Sequence, residues 1–259
     1  MRERRSIIGA VVCVAAMLAF MPGTAMAQEQ ANAAGATPEP LLTACNHLFG
    51  AGNLVWCVSN EGNLVRFTSP AGFEHIAVGG ISEGYVVCTS ATGNYWDTAL
   101  SASGWGPPIV LALSGSGITI RRTTTDGRFQ LDQKWSRDTL ERDLTVMMSL
   151  TNFGATQNVF LLRTSDPDVD NDFSDDRFDK SAHAGWTRDF NAVTMSNLTL
   201  TVPHSVIMSN PAPIVSSCSP AFQVGVPGGP GDPGISILYN LGTMATGKKK
   251  VVRVSYRAQ

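Results

Sequence analysis

Charge is scarce in this chain. Lys, Arg, Asp and Glu make up 15% of 259 residues, against about a quarter in an ordinary globular domain. A long solvated helix, a coiled coil and a polyelectrolyte tail all need more, so none is expected. Positive charge is scarcer still as a field. The formal net charge is −2 and the sequence pI is ≈ 6.1, and no Lys/Arg stripe is available to meet nucleic-acid phosphates, so no nucleic-acid partner is expected. There is no C-x-x-C pair, which argues against thiolate metal binding. Beyond Leu41 no sustained helical periodicity occurs. What remains is a polar but uncharged surface of Ser, Thr, Asn, Gln and Gly.

The one long apolar run lies at the start. Arg2, Arg4 and Arg5 precede Ile7 to Met21, then come Pro22-Gly23 and Ala25-Met26-Ala27, an A-x-A site. A run of about 15 residues is short of the roughly 20 that span a bilayer. Residues 1–27 therefore read as a cleaved signal peptide, with a retained anchor as the alternative, and the mature chain is expected to lack a membrane span. Cys13 follows Val12 rather than a small residue, which disfavours a lipid anchor. Residues 28–40 read as a flexible leader and 41–259 as one β-sandwich domain. The expected location is secreted or periplasmic. Cys45, Cys57, Cys88 and Cys218 remain after cleavage, an even number that implies two disulfides with three possible pairings.

Short runs rich in Val, Ile, Thr and aromatics recur from Leu41 onward, separated by Gly, Asn, Asp and Pro. Leu54 to Ser59 and Leu64 to Thr68 flank Asn60-Glu-Gly-Asn63. Ile118 to Thr125 and Arg128 to Trp135 flank Asp126-Gly127, a pair suited to a type I′ turn. Arg142 to Thr151 and Asn158 to Thr164 flank Asn152-Phe-Gly154, and further runs are Leu198 to Val202, Ala221 to Val226, Ile235 to Leu241 and Val251 to Tyr256. Ile118, Ile120 and Arg122 share one face of their run; Leu144, Val146, Met148 and Leu150 share one face of theirs. About a dozen strands without helical crossovers predict an all-β fold, a large antiparallel β-sandwich.

The order Leu144-Thr-Val-Met-Met-Ser-Leu-Thr-Asn152, then Val159-Phe-Leu-Leu-Arg163 with Asp166-Pro-Asp-Val-Asp170, then Leu238-Tyr-Asn-Leu-Gly242 and Val251-Val-Arg-Val-Ser-Tyr256 resembles secreted bacterial domains of the supersandwich type. That fold is shared with galactose-mutarotase-like modules. The resemblance covers the C-terminal half and implies the fold alone, since no mutarotase His/Glu set can be matched.

Acid is concentrated in one place. Asp166 to Asp179 holds seven Asp and one Arg in 14 residues, and so many carboxylates repel unless a cation or water intervenes. Ca²⁺ takes six to eight oxygen ligands, and Asp166, Asp168, Asp170, Asp172, Asp176 and Asp179 are the candidate ligands. Phe173 stands where an EF-hand needs Gly and no helices flank the loop, so a calcium loop between strands is the reading, with a solvated acidic loop as its alternative. Zn²⁺ is disfavoured because His183 reads as a lone imidazole.

Catalytic patterns are weak. Gly80-Ile-Ser82-Glu-Gly84 fits G-x-S-x-G, but a strand-like run follows where a nucleophile elbow needs a helix. His47, His75, His183 and His204 cannot be ranked as bases. Glu83 and Asp97 are the acid pair to examine for glycosidase chemistry, with Tyr95, Trp96 and Trp105 as ring-stacking candidates. Lys248-Lys-Lys250 reads as protection of a sheet edge, Gly228 to Gly234 as a turn-rich loop, and Asn197-Leu-Thr199 as a glycosylation sequon. The expectation is an exported, non-catalytic β-sandwich protein with a structural or binding role. The alternatives are a carbohydrate-binding or carbohydrate-processing module and, third, an assembly subunit working by strand pairing; the expected partner is an extracellular glycan or protein.

Overall fold

Alternating apolar and polar side chains sort this chain into three antiparallel sheets. The computed structural model describes residues 45–76, 83–98, 101–138, 143–171, 176–209, 216–218 and 230–259. The expected signal peptide and leader, Ser82 of the G-x-S-x-G pattern, Asp172 and the run Ala221 to Val226 lie outside the described residues.

A small sheet comprises β1 (His47–Ala51), β2 (Leu54–Val58) and β3 (Leu64–Thr68). Its successors in the chain are β4 (Gly84–Thr89), β5 (Gly93–Thr98), β6 (Ala102–Ser103), β7 (Ile109–Ser114), β8 (Gly117–Thr123), β9 (Phe129–Arg137), β10 (Asp143–Asn152) and β11 (Gln157–Ser165). The remainder are β12 (Asp176–Lys180), β13 (Ala184–Arg188), β14 (Ala192–Asn197), β15 (His204–Ser209), β16 (Pro230–Gly231), β17 (Gly234–Met244) and β18 (Lys249–Ala258). Nine strands pair in the order β16-β12-β13-β14-β18-β10-β9-β8-β7, and six in the order β15-β17-β11-β4-β5-β6. Large antiparallel sheets enclose the core, as the alternation predicts.

The shared faces hold. Ile118, Ile120 and Arg122 of β8 are buried together, as are Leu144, Val146, Met148 and Leu150 of β10. One cluster containing Trp56, Tyr85, Trp135, Tyr239 and Tyr256 fills the main core. A second, made of Val86, Cys88 and Leu162 with Trp96, Phe160, Cys218 and Leu238 against it, includes both members of one disulfide. The pairings left open by the sequence are Cys45–Cys57 and Cys88–Cys218. Two disulfides fit an oxidising compartment, extracellular or periplasmic. No helix among the described residues is long and apolar enough to cross a membrane.

Several local expectations are corrected. Only Gly127 of the Asp126-Gly127 turn has positive φ, at 71°. With Gly127 N–H donating to the Thr124 carbonyl, the loop is a type I turn followed by a left-handed glycine rather than type I′. Leu198 to Val202 is a turn, because the Asn197 side chain accepts the Thr199 N–H at 2.7 Å and folds the chain back. β18 is fifth of nine strands, yet β14 pairs only with its Val254–Ala258 end, so the exposed Lys249 and Lys250 pair with Thr151 and Leu150 of β10 on one side alone, at a stretch of strand whose other side β14 leaves uncovered.

Candidate functional site

Three polar assemblies stand out, two of them buried. The first surrounds the turn between β2 and β3. Its Glu61 carbonyl accepts hydrogen bonds from the Tyr85 hydroxyl and Gln133 Nε2, and its Gly62 carbonyl accepts from Trp135 Nε1 and the Arg163 guanidinium. Gly62 has φ of 95°, and a Cβ there would meet Gln133 Nε2 at 2.2 Å, so only glycine lets the turn sit this close. Arg163 and Glu83 are both fully buried and form a forked ion pair. Tyr256 donates to the same carboxylate, the Leu64 N–H donates to it at 2.6 Å, and Arg163 donates to Gln133 Oε1 at 2.6 Å. The guanidinium also lies 4.8 Å from the centre of the Trp135 ring.

Burial raises the Glu83 pKa against the opposing pull of Arg163. Burial on its own would lower that of Arg163, but the Glu83 carboxylate beside it outweighs this and drives it up. Asp97 forms a second buried pair with Arg122 at 2.7 Å and accepts from Asn63 Nδ2 at 2.6 Å. Burial raises its pKa to about 6, opposed by Arg122. Glu83 and Asp97 are therefore each consumed by an arginine inside the protein, with Tyr95 and Trp105 buried as well. They do not face an open cleft as a glycosidase pair must.

The second assembly is acidic throughout. Carboxylate oxygens of Asp166, Asp168 and Asp232 lie within 4.8 Å of one another. Asp166 leaves the end of β11, Asp168 follows two residues later, and Asp232 arrives from the connection between β16 and β17. Pairing of Asp176 with Gly231 across β12 and β16 brings the last segment in. Burial drives the Asp166 pKa well above the usual carboxylate range, and Asp168, Asp232 and Asp176 push it further.

Of the six acids expected to act together, the five among the described residues have different surroundings. Asp166 and Asp168 meet. Asp176 lies close enough to act on Asp166 and accepts the Val169 N–H at 3.2 Å. Asp170, with φ of 64°, turns to Asn191, whose backbone N–H and side-chain amide both donate to its carboxylate. Asp179 is exposed on β12, where it accepts the N–H of Lys180. Asp232 was missed by sequence reasoning, since a Gly/Pro-rich turn carries no ligand spacing; only its being an isolated acid in such a loop marked it. His75 is committed elsewhere: Nε2 donates to the Ser69 carbonyl at 2.7 Å and Nδ1 accepts the Asp170 N–H at 3.3 Å. Burial lowers its pKa, in keeping with this neutral form. His183 is not a lone imidazole, for its Nδ1 lies 2.9 Å from Nε2 of His204.

The third assembly is an open groove on β12 and β13. Register sets Arg177 opposite Arg188 and Asp179 opposite Trp186. Alternation directs Asp176 and Phe178 inward and leaves Arg177, Asp179 and Arg188 exposed and Trp186 half-buried. With Asp189 and Pro230 they line a hollow of about 560 Å³.

The fold has known counterparts. An Escherichia coli K12 protein provisionally named an aldose 1-epimerase superposes with a TM-score of 0.53 at 13% identity, over 82% of this chain and 98% of that one. A bacterial glucoamylase solved with acarbose gives 0.55 at 10% identity, over 83% of this chain. A human-microbiome protein provisionally named a kojibiose phosphorylase gives 0.50 at 10%, over 85%. This chain shares the galactose-mutarotase-like sandwich fold. It spans 32% and 30% of the latter two proteins. No protein-family model matches the chain, and no curated protein matches its sequence.

Proposed function

We propose that this protein is an exported carbohydrate-binding β-sandwich whose groove on β12 and β13 seats a sugar ring against Trp186. The observation that carries the reading is the four-residue square on the outer face, Arg177 opposite Arg188 and Asp179 opposite Trp186. A half-exposed indole offers an apolar face to the C–H side of a pyranose. Guanidinium and carboxylate groups around it present fixed donors and acceptors for hydroxyls, the usual division of labour in a ligand site. Two arginines directly opposite each other repel, and a polar ligand bridging them offsets that cost.

Fold likeness to sugar-processing proteins supports the substrate class by analogy. The burial of Glu83 and Asp97 supports binding without glycosidic cleavage. The Arg-rich start, apolar run and A-x-A site of residues 1–27, with the two disulfides, support export. A glycan-array screen of the protein against its Trp186→Ala variant tests the reading. The expected result is retention of a defined glycan set by the parent and at least tenfold weaker binding by the variant. No retained glycan, or equal binding by the variant, overturns it.

A further inference from the structure

We propose that Asp166, Asp168 and Asp232 form a binding site for a hard divalent cation of the Ca²⁺ class, which pins the β16 segment to the end of β11. The site is independent of the carbohydrate reading. Ca²⁺ binds oxygens at 2.3–2.6 Å, so ligands of one ion lie within about 5 Å of each other. The three carboxylates meet that condition, with oxygens within 4.8 Å.

A second observation comes from Asp166 itself. It is 4% exposed, and its Oδ1 has no hydrogen-bond partner. A buried carboxyl oxygen left without a hydrogen-bond partner is costly. The neighbours that act on Asp166 electrostatically, Asp168, Asp232 and Asp176, are themselves acids. A dication supplies the missing contact and offsets the repulsion at once. The ligand set is all oxygen, and both nitrogens of His75 are engaged elsewhere, so the chemistry fits Ca²⁺ better than Zn²⁺.

The consequence is structural. Asp232 sits two residues beyond Pro230, which forms part of the groove wall. An ion held by Asp232 on one side and Asp166 and Asp168 on the other joins segments more than sixty residues apart in the sequence.

The test is calorimetric and thermal titration of the chelator-treated full-length protein with CaCl₂. A saturable heat is expected, with a melting rise of about 5–10 °C at calcium a hundredfold above Kd. Asp232→Asn and Asp166→Asn should each weaken binding at least tenfold. Asp170→Asn, whose carboxylate serves Asn191, should leave binding within twofold. In chelator, Asp166→Asn should melt at or above the parent, because repulsion is relieved. No calcium-dependent heat or shift in the parent overturns the site. So does calcium binding unchanged in Asp232→Asn, or lost equally in Asp170→Asn. If Asp166→Asn fails to fold, the parent titration and the Asp232→Asn and Asp170→Asn arms still decide it.

Discussion

This protein buries carboxylates in two contrasting ways. Around the β2–β3 turn, Glu83 and Asp97 each face an arginine and further donors, so every charge is answered within the chain. At the junction of β11, β12 and β16, Asp166, Asp168 and Asp232 face one another. The first arrangement is self-sufficient and fastens the small sheet to strands of both large ones. The second is an assembly of like charge that a cation would complete. Burial alone therefore says little about what an acid does; the sign of its neighbours decides.

Breaking the self-sufficient side should have the largest effect. Arg163→Met leaves Glu83 buried without its counter-charge and removes one of the two donors to the Gly62 carbonyl, and loss of a buried partner costs about 3–5 kcal/mol. Urea denaturation should show that loss, and a change below about 1 kcal/mol would mean the pair is not the fastening described.

The Asp97 pair should reveal itself through pH. Its folded-state pKa of about 6 lies above the ordinary value near 3.9. The folded protein thus holds this proton more tightly, and the stabilisation is fully present below about pH 4 and fades as pH rises through 6. Across that window the contribution amounts to up to about 3 kcal/mol. The melting curve of Asp97→Asn should be flatter than the parent's between pH 4 and 6.5; parallel curves would contradict the assignment.

On the acidic side the sign should reverse. In chelator, Asp166→Asn is expected to be neutral or stabilising by about 1 kcal/mol, because removing one of several like charges relieves repulsion. A loss of several kcal/mol would place Asp166 with the paired acids. Smallest of all should be Trp186→Ala, within about 0.5 kcal/mol for a surface position, while glycan binding falls as described above. Large destabilisation by this substitution would mark Trp186 as a packing residue.

Local order was legible in the residues; the partners across the fold were not. Period-2 alternation located β8 and β10 and the face each buries, and cysteine parity implied two bridges, because these follow from neighbouring residues alone. The Arg163 assembly draws on β3, β4, β9, β11 and β18, and nothing in linear spacing brings those together. A signal did exist: an arginine inside Val159-Phe-Leu-Leu-Arg163 must find an acid if its strand is buried. The acidic loop drew attention by density, yet it was Asp232, from a distant turn, that joined Asp166 and Asp168. Leu198 to Val202 had strand composition, but the Asn197 side chain supplied a local turn that composition does not reveal.

The strand order also constrains the timing of folding. β17 lies between β15 and β11, and β18 between β14 and β10, so the last two strands described are interior staves of both large sheets. Until Gly234–Met244 and Lys249–Ala258 are available, those four neighbours each keep a bare hydrogen-bonding edge. A polypeptide delivered N-terminal end first, whether from a ribosome or through a membrane pore, cannot close either layer early. Completion of both sheets is deferred to the arrival of the last two strands.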